Sequence, residues 1–500
     1  MSPLAARTTR GTLVVTAGQL SLALAGFAVA LVLGRELGPA AYGVWGIVYA
    51  ILVGVEQTGR LGLPQATSRL VAEADGRDPL LERRAVTLVL LVYGSLFAGL
   101  WLGAPWLEQT FRIPDGTRLL RIAALDVPPV GLFLVLVAVL NGRRDFVAEG
   151  LVTIVYAATR TIGLAVVVPF GLTLEAALVV TILSAVVACL AALIRLGPSI
   201  LLPRVDRFEP ILKIAAPAAL AWGAVAALSN LDLWALNAFG GSVPAEVKGW
   251  YTAALNLARL PNLLAFVATS ILVPTIAYAL AKKDPAGARA ALAGGARMML
   301  AALVPIAVVG GIEARGLLEL VFGTAYGDGA PLLAVLLLAH GVGYTAMISL
   351  GAVLLAAGRE RLSAILAPAS ALVALLILPP AAALLGAIGS ALGALATALV
   401  GVGLAARATA REVGPLVEPA TLGRILLATA PVALLLVIVP TRGAWLLLEL
   451  GLGGALYLAL LVATGVLGPA ELAAFRRTSG APTAGATAAG ATMDGRAASG

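Results

Sequence analysis

Residues 11–34 read GTLVVTAGQLSLALAGFAVALVLG, with no ionisable side chain, between Arg7 and Arg10 on one side and Arg35 on the other. At 1.5 Å per residue, a helix of this length spans about 36 Å, enough to cross a hydrocarbon core about 30 Å thick. A secretory leader is the competing reading, with Ala28-Val29-Ala30 as a small-residue cleavage site. A leader's apolar region runs only about 7–15 residues, however. Similar stretches recur along the rest of the chain, so the first is expected to be a permanent span.

Composition points the same way. The chain has 500 residues, 60% of them hydrophobic and 12% charged. Soluble domains carry about 25% charged residues, which excludes an ordinary soluble fold. We read fourteen spans, at about 11–34, 41–63, 85–105, 119–140, 147–169, 172–194, 211–237, 247–279, 290–312, 330–356, 362–385, 387–406, 422–441 and 444–467. The eighth is too long for one straight helix, and with Pro261 and Pro274 within it a tilt, a kink or an exposed end is expected. The expected fold class is all-α and polytopic.

Charge tests the count. With the N-terminus cytoplasmic, 24 basic residues fall in cytoplasmic segments and 7 in outer ones. A miscounted span would invert every later loop and destroy that asymmetry. The net charge of +8 therefore reads as positive-inside bias and calls for no nucleic-acid partner. Trp45, Trp101, Trp106, Trp234, Trp250 and Trp445 fall near expected outer ends, where indoles favour the interface, and only Trp222 lies mid-helix. Residues 478–500 are Ala-, Gly-, Thr- and Ser-rich and are expected to be disordered and cytoplasmic.

An internal repeat is visible. Asn141-Gly142-Arg143-Arg144-Asp145 follows the fourth span and Ala357-Gly358-Arg359-Glu360-Arg361 the tenth, an offset of 216 that also carries Thr181 onto Thr397. Six spans per unit is an even number, so the halves should be related by an axis along the membrane normal. The expected division is an N-terminal lobe at 1–203, a C-terminal lobe at 204–410, two further spans at 411–467 and a tail at 468–500.

Charge inside the spans is the sharpest functional signal. Arg60, Arg160 and Arg259 fall in the second, fifth and eighth spans. Each costs about 2.5–3.5 kcal/mol at a helix centre, so each must face something polar. Arginine keeps its charge, and its planar fork matches phosphate oxygens, so the three are candidate substrate-binding residues. Internal neutralisation is the alternative. Glu56 lies four residues before Arg60, on the same helix face, and Asp126 and Asp232 are further candidate partners. His340, the single histidine, is a candidate for ion pairing or proton coupling. Gly386, Gly389 and Gly393 suit close helix packing.

Enzyme motifs are absent. Gly240-Gly241 lacks the Lys-Ser/Thr of a phosphate-cradling loop, there is no HExxH, and Cys189 and His340 are each alone. No catalytic residue, metal site or cofactor is expected.

Several pieces resemble the polysaccharide-export branch, the Wzx-type oligosaccharide flippases, of the multidrug/oligosaccharidyl-lipid/polysaccharide (MOP) exporter superfamily. They are Leu37-Gly38-Pro39-Ala40-Ala41-Tyr42-Gly43, Leu61-Gly62-Leu63-Pro64 with Arg69, and Gly249-Trp250-Tyr251-Thr252-Ala253-Ala254 running on to Leu272-Val273-Pro274. Leu355-Ala356-Ala357-Gly358-Arg359 and Gly386-Ala387-Ile388-Gly389 with Ala396-Thr397 complete the pattern. The resemblance implies two six-helix lobes rocking around a central cavity in a bacterial inner membrane. It implies an undecaprenyl-diphosphate-linked oligosaccharide as cargo, for surface polysaccharides such as lipopolysaccharide O-antigen, with membrane lipid and other assembly proteins as partners. Drug exporters of the superfamily often use membrane acids in the first helix, whereas residues 11–34 carry none. A multidrug or small-molecule antiporter and a polysaccharide polymerase or ligase are the competing functions. The second would need an outer domain, and the longest outer loop, about 313–329, is too short for one.

Reporter fusions after Pro198 and Lys283 should read cytoplasmic and one at Ser242 external. A reversed signal at any of the three breaks the fourteen-span count.

Overall fold

The computed structural model describes residues 3–60, 62–76, 78–439 and 443–468, with side chains at 3–10, 12, 216–222, 226, 265–268 and 270–271 excepted. The expected tail at 478–500 and the Trp222 side chain lie outside them. The described chain is helical from end to end, with no strand.

Among the described residues, ten helical runs are long and apolar enough to cross a bilayer. Two of these hide a reversal. Leu13–Glu73 contains Gly38 at φ 72° and Glu360–Glu412 contains Gly386 at φ 58°, both non-helical. A straight helix as long as the first would measure about 90 Å, three times the hydrocarbon core, so each run is two spans. Two further spans are broken into shorter helices, Glu209–Leu228 with Leu231–Phe239 and Ala245–Ala258 with Asn262–Ala281. Together these are the fourteen spans of an all-α membrane protein.

Polar contacts between distant segments check the order of faces. Arg143 pairs bidentately with Glu82 at 2.6 and 2.5 Å, and Arg195 with Asp145 at 2.7 Å. Arg359 pairs with Glu412 at 2.6 Å. Arg84 binds Asp206 at 2.9 Å, and those bonds hold the Asp206 carboxyl below its usual range. All four belong to the face where the described chain begins and ends. On the opposite face Arg112 donates to the Gly241 carbonyl at 2.7 Å and Trp250 to that of Ala325 at 2.8 Å. Each contact joins segments that the span count assigns to one side.

The first six spans pack together, the next six pack together, and the last two rest on Pro285–Ile312, where the Tyr457 hydroxyl donates to the Ala301 carbonyl at 2.8 Å. The repeat is present as geometry, but its turn offset is 214 rather than 216. Arg143, Arg144 and Asp145 donate to Val139, Asn141 and Leu140, and Ala357, Gly358 and Arg359 donate to Val353, Leu355 and Leu354. Arg144 and Gly358 occupy the same left-handed position, at φ 58° and 73°. This is the helix-ending turn in which a left-handed residue lets two late carbonyls be satisfied. The shared Gly-Arg letters sit two residues out of register with the turn. A second pair went unnoticed: Asp78-Pro79 and Asp284-Pro285 each cap the start of a span, with the carboxylate accepting backbone N–H bonds.

The lobes meet on both faces. On the opposite face Tyr42 packs edge-on to Tyr326 with ring centroids 6.1 Å apart, and the Tyr326 hydroxyl donates to the Gly34 carbonyl at 2.6 Å. There the second span crosses Ala245–Ala258 so closely that a Cβ on Gly249 would run into the Pro39 backbone, and one on Gly43 would lie 2.8 Å from the Ala245 carbonyl oxygen. Toward the other face, Ala66 beyond the second span shares a buried cluster with Ile211 and Ala215 of the seventh.

Gly249→Val should therefore wedge the lobes apart, at the roughly 1–3 kcal/mol typical of overpacking, and lower the melting temperature of the purified protein. Gly26→Val, where a Cβ meets nothing within 4 Å, should leave it unchanged. Equal melting of the two variants would refute this close packing.

Candidate functional site

Membrane interiors offer no water to a broken helix, so freed backbone groups need partners inside the protein. Among the described residues, five helical irregularities in or beside the spans each carry an ionisable side chain. Asp126 stands where the fourth span breaks between Gly116–Ala124 and Val127–Gly142. Pro128 and Pro129 follow it and supply no N–H to the carbonyls before them. Asp232 follows the break at Ser229-Asn230, Arg259 stands at the break before Pro261, and His340 lies in the π-helical segment Leu337–Tyr344. Arg60 ends the helix before Gly62, at φ 72°. Arg160 lies instead in the unbroken helix Phe146–Val167. Only the kink near Pro261 was legible beforehand.

In the C-terminal lobe these breaks converge. Arg259 donates to the Ser229 carbonyl, freed by the neighbouring break, and to Asn230 Oδ1 at 3.3 Å. Asp232 Oδ2 accepts the Tyr251 hydroxyl at 2.8 Å and lies 3.0 Å from His340 Nε2. Asp232 and His340 are only 1% and 2% exposed. Arg259 lies within electrostatic reach of Asp232, so guanidinium, carboxylate and imidazole form one cluster. The His340 ring also meets Tyr344 edge-on, with centroids 4.9 Å apart.

The N-terminal lobe has its own cluster. Arg160, 7% exposed, donates to the Tyr49 hydroxyl at 3.1 Å, with its guanidinium carbon 5.3 Å from the Tyr49 ring centroid. Asp126 lies within electrostatic reach of Arg160 and contacts Glu56. Asp126 Oδ1 and Arg160 Nε are buried without hydrogen-bond partners, as are Asp232 Oδ1 and Arg259 Nε in the other cluster. Arg60 is exposed and lies within electrostatic reach of Glu56.

Between the two clusters is a cavity of about 220 Å³. The second span lends it Trp45, Tyr49 and Gln57, and the C-terminal lobe lends Asn230, Asn256, Arg259, Asn262, His340 and Tyr344. Of the three candidate arginines, Arg259 lines the cavity, Arg160 stands behind Tyr49, and Arg60 is outside it, one helical turn from Gln57. Trp45 differs from its interface expectation. It is 5% exposed and stacked on Tyr49 at 5.3 Å, because the lobes close over it. The amides were missed from sequence, although Asn256 and Asn262 flank Arg259 at helical spacing. Among the described residues, no group of three or more His, Cys, Asp or Glu side chains is arranged to hold a metal ion.

Arg160→Ala should strand the Asp126 carboxylate and reduce protein abundance in the membrane, at a cost of about 3–5 kcal/mol. Adding Asp126→Asn should restore abundance. An Arg160→Ala variant as abundant as wild type would show that the pair carries no such weight.

The model of a family described as polysaccharide biosynthesis protein matches residues 8–279. No curated protein matches the sequence. Among solved structures, the chain is similar to the lipid II flippase MurJ in an inward closed conformation, with a TM-score of 0.74 at 14% identity over 90% of this chain and 98% of that one. It is also similar to an inward-facing multidrug resistance MATE family transporter of the MOP superfamily, with a TM-score of 0.62 at 16% identity over 78% of this chain and 94% of that one. A MOP superfamily transporter from Pyrococcus furiosus has a TM-score of 0.53 at 16% identity, over 81% of this chain and 95% of that one. At these identities the likeness is one of fold: the two-lobe, all-helical transporter architecture.

Proposed function

The chain belongs to the polysaccharide biosynthesis protein family, and on that premise we propose that it flips an undecaprenyl-diphosphate-linked oligosaccharide across the bacterial inner membrane. Transport would proceed by alternating access between lobes at 1–203 and 204–410, with both termini cytoplasmic. The two spans at 411–467 are proposed as an addition to the second lobe.

The observation that carries this reading is Arg259 in the wall of the inter-lobe cavity. Its guanidinium is tied to the Ser229 carbonyl and Asn230, and its Nε is left without a partner. Such a group, held in place and only partly satisfied, suits a phosphate oxygen. Amide side chains around it offer donors and acceptors for the remaining oxygens and the first sugar. Arg160 acts indirectly, by fixing Tyr49. Arg60, a turn beyond Gln57, is proposed to meet the diphosphate before it reaches Arg259. An organic cation would find the opposite of what it needs. No carboxylate is among the described residues lining the cavity, and Asp232, next to Leu233 of its wall, is already engaged by Tyr251 and His340.

Vesicles reconstituted with the protein should flip a prenyl-diphosphate-linked sugar and fail to move organic cations. Arg259→Lys should keep partial transport, since the charge remains but the planar fork is lost. Arg259→Ala should lose the roughly 1.5–3 kcal/mol of a charged hydrogen bond, seen as a loss of about tenfold or more in apparent affinity. Wild-type transport by an abundant Arg259→Ala variant would end the diphosphate reading.

A further inference from the structure

Beside the polar cavity lies a second hollow of different chemistry. It holds about 260 Å³ and is lined only by apolar side chains and one glycine, among them Leu257, Leu260, Pro261, Leu264, Leu333 and Leu337. Leu260 and Leu264 are 38% and 48% exposed, and the lining comes wholly from residues 257–337 with none from the first lobe, so the hollow is open and turned away from the seam, toward the side where a membrane presents lipid.

The two chambers share a wall made from the irregular segments. At the break in the eighth span, Asn256, Arg259 and Asn262 face the cavity while Leu257, Leu260, Pro261 and Leu264 line the hollow. In the tenth span, His340 and Tyr344 face the cavity, while Leu333 and Leu337 line the hollow. The segments touch at Gly341, where a Cβ would lie 3.2 Å from the Ala258 carbonyl oxygen and 3.4 Å from Pro261 Cγ. An anion held at Arg259 is thus one residue layer from an apolar recess open to lipid.

We propose that this hollow takes a stretch of the polyprenyl chain of the lipid-linked substrate while its diphosphate is held at Arg259. The inference rests on the diphosphate reading above. A ligand with an anionic head and an apolar tail matches the juxtaposition of the two chambers. The hollow is smaller than the roughly 300–1,000 Å³ of a pocket that encloses a whole ligand, so it receives a segment and leaves the rest in the bilayer. Leaving lipid for an apolar recess gains no hydrophobic energy. Occupancy therefore depends on tethering: an anchored diphosphate raises the effective concentration of its own tail at the hollow. An untethered acyl chain has no such advantage.

Leu264→Cys in a Cys189→Ala background tests this in reconstituted vesicles with a lipid-soluble maleimide. Polyprenyl diphosphate should slow labelling by about tenfold at roughly ten times its dissociation constant. Polyprenol and phosphatidylglycerol should leave the rate unchanged, as should every lipid at Leu376→Cys, whose parent residue is 77% exposed. Equal slowing by phosphatidylglycerol would make the hollow a general acyl-chain recess and overturn the proposal. Unchanged labelling in vesicles that measurably flip a prenyl-diphosphate-linked sugar would overturn this inference alone. Vesicles that flip nothing would remove the diphosphate reading, and the tail site with it. Leu260→Cys gives the same test if Leu264→Cys does not accumulate.

Discussion

A helix that breaks inside a membrane must find partners for the carbonyls and N–H groups it releases. In this protein that requirement organises the interior. The break at Ser229 would leave a carbonyl in hydrocarbon, and Arg259 from the adjacent broken span donates to it. Arg259 in turn carries a charge that needs an acid, and Asp232, a few residues beyond the first break, lies within its reach. Asp232 Oδ2 is held by Tyr251 and by His340 from a third irregular segment. Each defect answers another. The polar cavity is what remains where their partly satisfied groups face the space between the lobes.

How much of this was legible follows from the kind of signal each feature leaves. Span number and order were legible because hydrophobicity and charge are additive over many residues. No single substitution could hide them. The kink in the eighth span was legible because Pro261 removes a donor and announces it. The break at Ser229-Asn230 has no proline, and its letters are ordinary in an apolar helix. Its cause is tertiary, a carbonyl that can afford to be free only because Arg259 arrives from another span. The π-helical segment around His340 is of the same kind. The repeat's register was misread by two residues because matching letters, Gly-Arg, do not mark the left-handed position at Arg144 and Gly358.

The arginines show the same limit at the site. Composition identified three costly charges, but depth along a span does not say which way a side chain points. Arg160 turned toward Tyr49 and Asp126, Arg259 toward Ser229 and the cavity, and Arg60 ended its helix in the open. The acids considered as partners came from other helices in the cases of Asp126 and Asp232. A search along the same helix could not have found them.

Where these charges are balanced bears on how such a molecule could move. The Arg160 cluster lies wholly in the first six spans and the Arg259 cluster wholly in the next six. Breaking a buried ion pair leaves an uncompensated charge and costs several kcal/mol, so pairs that crossed between lobes would resist separation. One part-exposed pair does cross, Arg84 with Asp206, but neither buried cluster does, and among the described residues the other crossing contacts pair no carboxylate. On the opposite face they are small-residue packing at Gly43 and Gly249, aromatic edges at Tyr42 and Tyr326, exposed arginine-to-carbonyl bonds from Arg35 and Arg112, and neutral hydrogen bonds such as Asn256 to the Tyr42 hydroxyl at 2.9 Å. Neutral bonds of this sort contribute about 0.5–1.5 kcal/mol each and can be exchanged for water. Buried charge is settled inside each lobe, and the seam between them is left to packing, exposed arginine contacts and neutral bonds that a rocking motion could open and remake.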